Sequence, residues 1–295
     1  MGRVWPRARL LLPHLEALLQ GTDAKARLEN DPLELPHRYL LPQDVEVAAL
    51  LSAALAYGRV DLFKPRLEEL LAQLGPSPAR TASDSTAAQL LERTGSFNYR
   101  MTDGRDVACL LLGVGRILNE EGSLGARFAA HHRALSSPGE TIRAALGAFV
   151  SDLCAPDFRP ISGQREPTRR LKHLVPHPDR GSACKRLNLF LRWMVRGPDG
   201  VDLGLWREVP KSALVIPLDT HVHRIGRFIG LTRRQDLSWL TAEEITSRLR
   251  QLDSEDPVRF DFALSHLGIS GACPSRRDPR KCQGCPLQPI CRHWV

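Results

Sequence analysis

Thirteen residues, Val45 to Tyr57 (VEVAALLSAALAY), offer water almost no polar face. The run has the length of a helix, and Gly58 closes it. A helix that is apolar nearly all round must be covered by other elements on every side. The rest of the chain supplies helices for that purpose. Val, Ile and Thr alternate with polar residues over no useful length, whereas helical periods recur. Asp44 is placed to cap the central helix. Residues 61–74, 106–119 and 141–153 read as further helices. Thr241 and Glu244 form a Thr-x-x-Glu capping box before a helix reaching residue 252. Asp256 and Pro257 open a last long helix that closes near Gly268. Residues 156–178, rich in Pro, Gly and Arg, read as one long loop. The expected fold class is all-α, with roughly ten helices.

The 295 residues and 42% apolar content can fill a sizeable core. No apolar run reaches about 18 residues, so no membrane-spanning helix is expected. The N-terminal MGRVWPRARLLLPHLEALLQ is basic and then apolar, as a signal peptide is. Pro13 and His14 break that run, and Leu11, Leu15, Leu18 and Leu19 follow a helical period. A cytoplasmic monomer is expected. The formal charge is +8, and its placement is more informative than its size. Between Arg159 and Arg196 ten Arg or Lys face two acids, so that segment alone carries as much net positive charge as the whole chain. Such a block suits a phosphate backbone. A helix is expected from about Ser182 to Arg196. Leu187, Phe190, Leu191 and Met194 fall on one side, and Lys185, Arg192 and Arg196 form a cationic stripe on the other.

Four of the seven cysteines, Cys273, Cys282, Cys285 and Cys291, lie within CPSRRDPRKCQGCPLQPIC near the C-terminus. A disulfide knot does not suit a chain read as cytosolic. The spacing C-x8-C-x2-C-x5-C has one C-x2-C pair where zinc ribbons usually have two. Four thiolates on a short loop also match the four corners of a 4Fe–4S cluster. Iron–sulfur is the first reading and zinc the runner-up. Cys109, Cys154 and Cys184 are scattered and are not read as ligands.

The cysteine spacing resembles the C-terminal cluster loop of endonuclease III-type helix-hairpin-helix DNA glycosylases, C-x6-C-x2-C-x5-C. The first gap here is two residues longer. A second landmark is Leu218-Asp219-Thr220-His221-Val222-His223-Arg224, which is similar to the family's Val-Asp-Thr-His-Val-x-Arg. From its residues alone Asp219 is a good N-cap, and Val222, Ile225 and Ile229 form the buried stripe of the helix that follows. The resemblance adds that this Asp is the catalytic carboxylate. His221 and His223 are read as flanking the cap or facing DNA, not as metal ligands. The resemblance also implies a cluster loop near DNA phosphates, with Arg276, Arg277, Arg280 and Lys281 in contact.

The family carries a glycine-rich hairpin before the Asp, and its bifunctional members place a nucleophilic Lys at the start of the next helix. Leu112-Gly113-Val114-Gly115-Arg116 matches by letter but sits inside an apolar helix, and is read as structural. HPDRGSACKRLNLF, His177 to Phe190, fits better, with the hairpin at about 178–186. Ala183 stands where a second glycine is usual. Lys185 is then either the nucleophile or a phosphate contact, and Gly181, Ser182, Arg186 and Arg192 are further expected DNA contacts. LLSAALAYGR resembles the family's Leu-Leu-Ser-Ala-Gln-Ala-Thr-Asp helix, but Ala54 replaces the Gln that fills the gap left by a flipped base.

What the resemblance implies is a divergent bacterial branch of that superfamily. Residues 1–43 and 219–295 would form a helical iron–sulfur domain, and 44–218 a helical barrel domain. The expected function is a DNA-repair glycosylase acting on duplex DNA with a damaged base or abasic site, with AP lyase activity if Lys185 is the nucleophile. The alternatives are a non-catalytic iron–sulfur protein that binds nucleic acid and a zinc-stapled RNA-binding or interaction protein.

Overall fold

The structure, a computed structural model, describes residues 7–23, 28–29, 31–137 and 140–294. Residues 1–6 of the basic N-terminal stretch, and 24–27 and 30 of the expected 1–43 segment, lie outside the described residues. Helices dominate. They are α1 (Ala8–Gln20), α2 (Pro42–Leu55), α3 (Val60–Leu74), α4 (Pro78–Asp84), α5 (Ala87–Thr94), α6 (Gly104–Glu121), α7 (Leu124–Leu135) and α8 (Arg143–Leu153). They continue with α9 (Arg159–Ser162), α10 (Arg169–Leu174), α11 (Lys185–Val195), α12 (Thr220–Ile229), α13 (Trp239–Arg250), α14 (Asp261–Ile269) and α15 (Pro279–Cys282). The only strands among the described residues, β1 (Asn98–Tyr99) and β2 (Thr102–Asp103), form one antiparallel pair.

Helix α2 is central, as its apolar run requires. From Asp44 to Leu55 every residue is buried. The two acids on it cap other helices. Asp44 does not cap α2, because Pro42 already opens that helix; its Oδ1 instead accepts from Ser77 Oγ at 2.7 Å and Ala79 N at 2.9 Å, at the start of α4. Glu46 accepts from Leu124 N and Gly125 N at the start of α7, and from Trp206 Nε1 at 2.7 Å. Burial raises the Glu46 carboxyl above its ordinary value, against the pull of these donors. Two buried carboxylates thus tie α2 to two neighbouring helix starts, where a negative charge is favoured.

Helix α6 starts at a capping box between Asp103 and Asp106 and ends at the left-handed Gly122. Gly113 and Gly115 are buried in its interior. A Cβ on Gly113 would stand 2.2 Å from Leu153 O, and one on Gly115 2.0 Å from Ala82 O. These glycines let α8 and α4 approach, which is why the Gly-Val-Gly run is structural. The expected loop at 156–178 is corrected. It contains α9 and α10, which bury Ile161, Leu171 and Leu174, and Thr168 caps the second by accepting from Leu171 N. Two helix starts also shift. Ser238, not Thr241, caps α13. Residues 257–260 form turns, so α14 begins at Asp261, and Asp256 pairs with Arg196 at 2.9 Å.

The two ends of the chain meet. His14 Nδ1 lies 2.9 Å from Pro286 O, Arg7 Nη2 donates to Ile290 O, and α1 packs against α14. Among the described residues, no helix is long and apolar enough to cross a membrane.

Candidate functional site

Asp219 is extended and caps α12, its Oδ1 accepting from His221 N at 2.9 Å and Val222 N at 2.8 Å. Its Oδ2 accepts no hydrogen bond among the described residues. Val222, Ile225 and Ile229 are buried, so the stripe anchors the helix and leaves its start at the surface. Lys185, the first residue of α11, is half-buried, and its Nζ has no partner among the described residues. Lys185 and Asp219 line the same two adjoining clefts, of about 400 and 520 Å³, together with Ala56, Gly58, His221 and Ile269. These volumes are in the range of small-ligand sites. The starts of α11 and α12 both open there, so two positive helix ends converge.

The turn before Lys185 differs in detail from a glycine-rich hairpin. Gly181, at φ 81°, ends a 3₁₀ turn over Pro178–Arg180, and its carbonyl accepts from Trp239 N at 3.1 Å. Ser182 is bridged to Ser238, and its Oγ accepts from Cys184 N. Ala183 does not take the left-handed turn. Cys184 does, at φ 47°, with its buried Sγ donating to Pro176 O at 3.2 Å. A left-handed residue with a side chain costs about 1–2 kcal/mol, so packing holds this turn in place.

The expected cationic stripe is absent. Arg192 is 2% exposed. It donates to Asp261 Oδ2 at 2.6 Å and to Asp202 Oδ1 at 3.1 and 3.2 Å. Burial works against its charge, but Asp202 and Asp261 hold the guanidinium above its ordinary value. Arg196 pairs with Asp202 and Asp256. Arg186 is also buried. It donates to Ala54 O and His173 O and lies 5.1 Å from the centre of the Tyr57 ring. With no carboxylate partner, its pKa falls to about 10 through burial. Arg186 and Arg192 are therefore struts inside the fold that border the two clefts, and not part of an exposed cationic stripe. The acids that recruit Arg192 lie 10 and 69 residues away in sequence, which a helical wheel cannot register. Exposed cations lie elsewhere on the basic segment: Arg165, Arg169 and Arg180 form no ion pair among the described residues.

Asp261 was not among the candidates read from the sequence. It lines the cleft beside Lys185 and Asp219 and is 2% exposed. Burial pushes its carboxyl up to about 6 against the pull of Arg192, and Asp219 adds to the rise. Nothing in its local sequence marks it, since Asp at a helix start is ordinary.

The four C-terminal cysteines come together. Asp278 caps α15 by accepting from Arg280 N, Gly284 at φ 79° turns the chain between Cys282 and Cys285, and Cys273 N donates to Leu267 O. Cys273, Cys282, Cys285 and Cys291 line one apolar cavity with Ile225, Phe228 and Trp294. Burial raises the Cys273 thiol to about 11 and raises Cys285 as well, with neighbouring thiols adding to both. As placed, no three His, Cys, Asp or Glu side chains among the described residues close into a metal-ligand group. The donor set, four thiols around one apolar cavity, fits a thiolate-held metal or cluster. Arg276, Arg277, Arg280 and Lys281 are exposed. Arg277 stacks over Trp294 at 4.3 Å, and Lys281 Nζ donates to Gly271 O. His223 is buried and lies 3.0 Å from Arg234 O, whereas His221 lines the cleft.

No curated protein matches the chain. A family model matches residues 31–270, from before α2 to the end of α14. That span holds Lys185, Asp219 and Asp261 and stops short of the four clustered cysteines. The chain belongs to a protein family of unknown function, DUF2400.

Proposed function

We propose that the protein is a DNA-repair glycosylase that removes a damaged base in the cleft between the starts of α11 and α12. The observation that carries this reading is that Lys185 and Asp219, 34 residues apart, line the same two adjoining clefts, with no partner on Nζ or Oδ2 among the described residues. The Lys185 amine attacks C1′ of the sugar, and the bond to the base breaks with its electron pair leaving on the base. Asp219 takes the proton released by the amine and offsets the positive charge that develops on the sugar. The C1′–O4′ bond then opens, its electron pair going to O4′ with a proton, and leaves a Schiff base between Lys185 and C1′. This permits loss of a C2′ proton and cleavage of the C3′–O bond, the electron pair leaving with the 3′ phosphate, the AP lyase step. Exposed Arg276, Arg277, Arg280 and Lys281, with Ser182 in the cleft lining and the exposed Gly181 next to it in the chain, meet phosphate.

Cys273, Cys282, Cys285 and Cys291 would hold a 4Fe–4S cluster, with zinc the runner-up. Bound there, it would staple the C-terminal loop to α12. One observation favours a second reading, a DNA-binding protein without glycosylase activity. Ala54 is fully buried and its carbonyl receives Arg186, so no side chain at that position can fill a base stack.

Borohydride trapping separates the two. Wild-type protein is incubated with duplexes carrying an abasic site, 8-oxoguanine, hypoxanthine or uracil. A reduced covalent adduct that vanishes in Lys185→Ala is expected. DNA binding with neither adduct nor base release on any duplex would leave the second reading.

A further inference from the structure

We propose that Asp261 is a ligand-facing hydrogen-bond acceptor, and that it selects nucleobases presenting a ring N–H over bases presenting a lone pair at the same edge. This deepens the glycosylase reading by assigning what the cleft recognises, and it rests on that reading for the class of ligand. Asp261 lines the cleft alongside Lys185 and Asp219. Its two oxygens are used unequally. Oδ2 accepts from Arg192 at 2.6 Å, whereas Oδ1 is buried with no hydrogen-bond partner among the described residues. Buried polar atoms almost always find partners, so an orphan carboxylate oxygen calls for a donor from outside the described residues.

The ligand that supplies it is flat and neutral. Arg192 is already shared between Asp261 and Asp202, so a further cation is not needed at the pair. The rings of Phe262 and His266 line the same part of the cleft, with centroids 4.0 Å apart, and give an aromatic surface beside the acceptor. An aromatic face next to a buried acceptor suits a heterocycle with a ring N–H. The Arg192 guanidinium at 2.6 Å favours the ionised carboxylate, which accepts and does not donate.

The test uses the full-length protein bound to a duplex with a tetrahydrofuran abasic site, which leaves the base position open. Free hypoxanthine, with N1–H, and free purine, with a lone pair at N1, are titrated into this complex at pH 7.5. Wild type is expected to bind hypoxanthine about tenfold or more tighter than purine, the discrimination expected of a charge-assisted hydrogen bond. D261N can keep its carbonyl on Arg192 and place an amide N–H where Oδ1 stood, so the ratio should even out or reverse. Equal binding of the two bases by wild type, no detectable hypoxanthine binding, or an unchanged ratio in folded D261N would each overturn the proposal. The wild-type comparison needs no variant, so poor folding of D261N does not block the test. Trapping and base release play no part in this readout, so failure of the activity and failure of the base contact are distinguishable.

Discussion

The two halves of α12 serve two sites of opposite construction. Near its C-terminal end, Ile225, Phe228 and Ile229 face the cysteine cavity, whose four thiols come from nineteen consecutive residues. Its start carries Asp219, which meets Lys185 from 34 residues earlier and Asp261 from 42 residues later. The first site is assembled by a local loop, the second by helix packing across the chain. The proposed cluster is thus a brace for the helix that presents Asp219, and damage to the brace should reach the cleft. In C285S, loss of iron and of an absorption band at about 400 nm is expected in protein purified without oxygen. DNA binding should fall with it. A wild-type protein with neither iron nor the band would replace the cluster with zinc or with nothing, and a C285S protein that binds DNA normally would uncouple the two sites.

The next effect is confined to the cleft. Asn caps a helix about as well as Asp, so D219N should unfold at the wild-type temperature. Its base release should nonetheless drop by about 10²–10⁴-fold, the usual contribution of a general base. D219A should lose stability too, by about 1 kcal/mol. Equal activity of D219N and wild type would reduce Asp219 to a cap.

Arg192 tests the other side of the comparison. Removing it leaves Asp202 and Asp261 buried without their shared cation, and breaking such a pair costs about 3–5 kcal/mol. R192M should melt on the order of 10 °C lower. DNA affinity measured below that temperature should keep its salt dependence. A variant with wild-type stability and a shallower salt slope would return Arg192 to the DNA-facing surface.

Legibility follows the same division. The central helix, the structural glycines of α6 and the gathering of the four cysteines follow from local residue pattern, because burial, close approach and loop closure act over short stretches. Asp44 shows where local rules fail. It and Asp103 are both good caps by residue type, and Asp103 does cap α6, but Pro42 already starts α2, so Asp44 turns to the start of α4 instead. The cationic stripe failed for a related reason. A wheel shows that Lys185, Arg192 and Arg196 share a side, but not that Asp202, Asp256 and Asp261 fold over it. Asp261 stayed hidden because its environment is tertiary: burial, Arg192 and the cleft all come from elsewhere.

The smallest effect probes the longer first gap of the cysteine loop. Arg276 and Arg277 are adjacent and exposed, yet differ in freedom. Arg277 is held over the Trp294 ring, where a cation–π contact is worth about 0.5–1 kcal/mol, and Arg276 has no ion pair among the described residues. If each meets one phosphate, either Ala variant should reduce the slope of log affinity against log salt by about one. R277A should also loosen Trp294, which lines the cysteine cavity, whereas R276A should leave that side chain alone. Tryptophan fluorescence of the two variants, read beside the salt titration, therefore separates a purely electrostatic contact from one that also braces the loop. A salt slope unchanged in both variants would mean that the loop passes clear of the DNA, and that the cysteine site bears on the cleft only through α12.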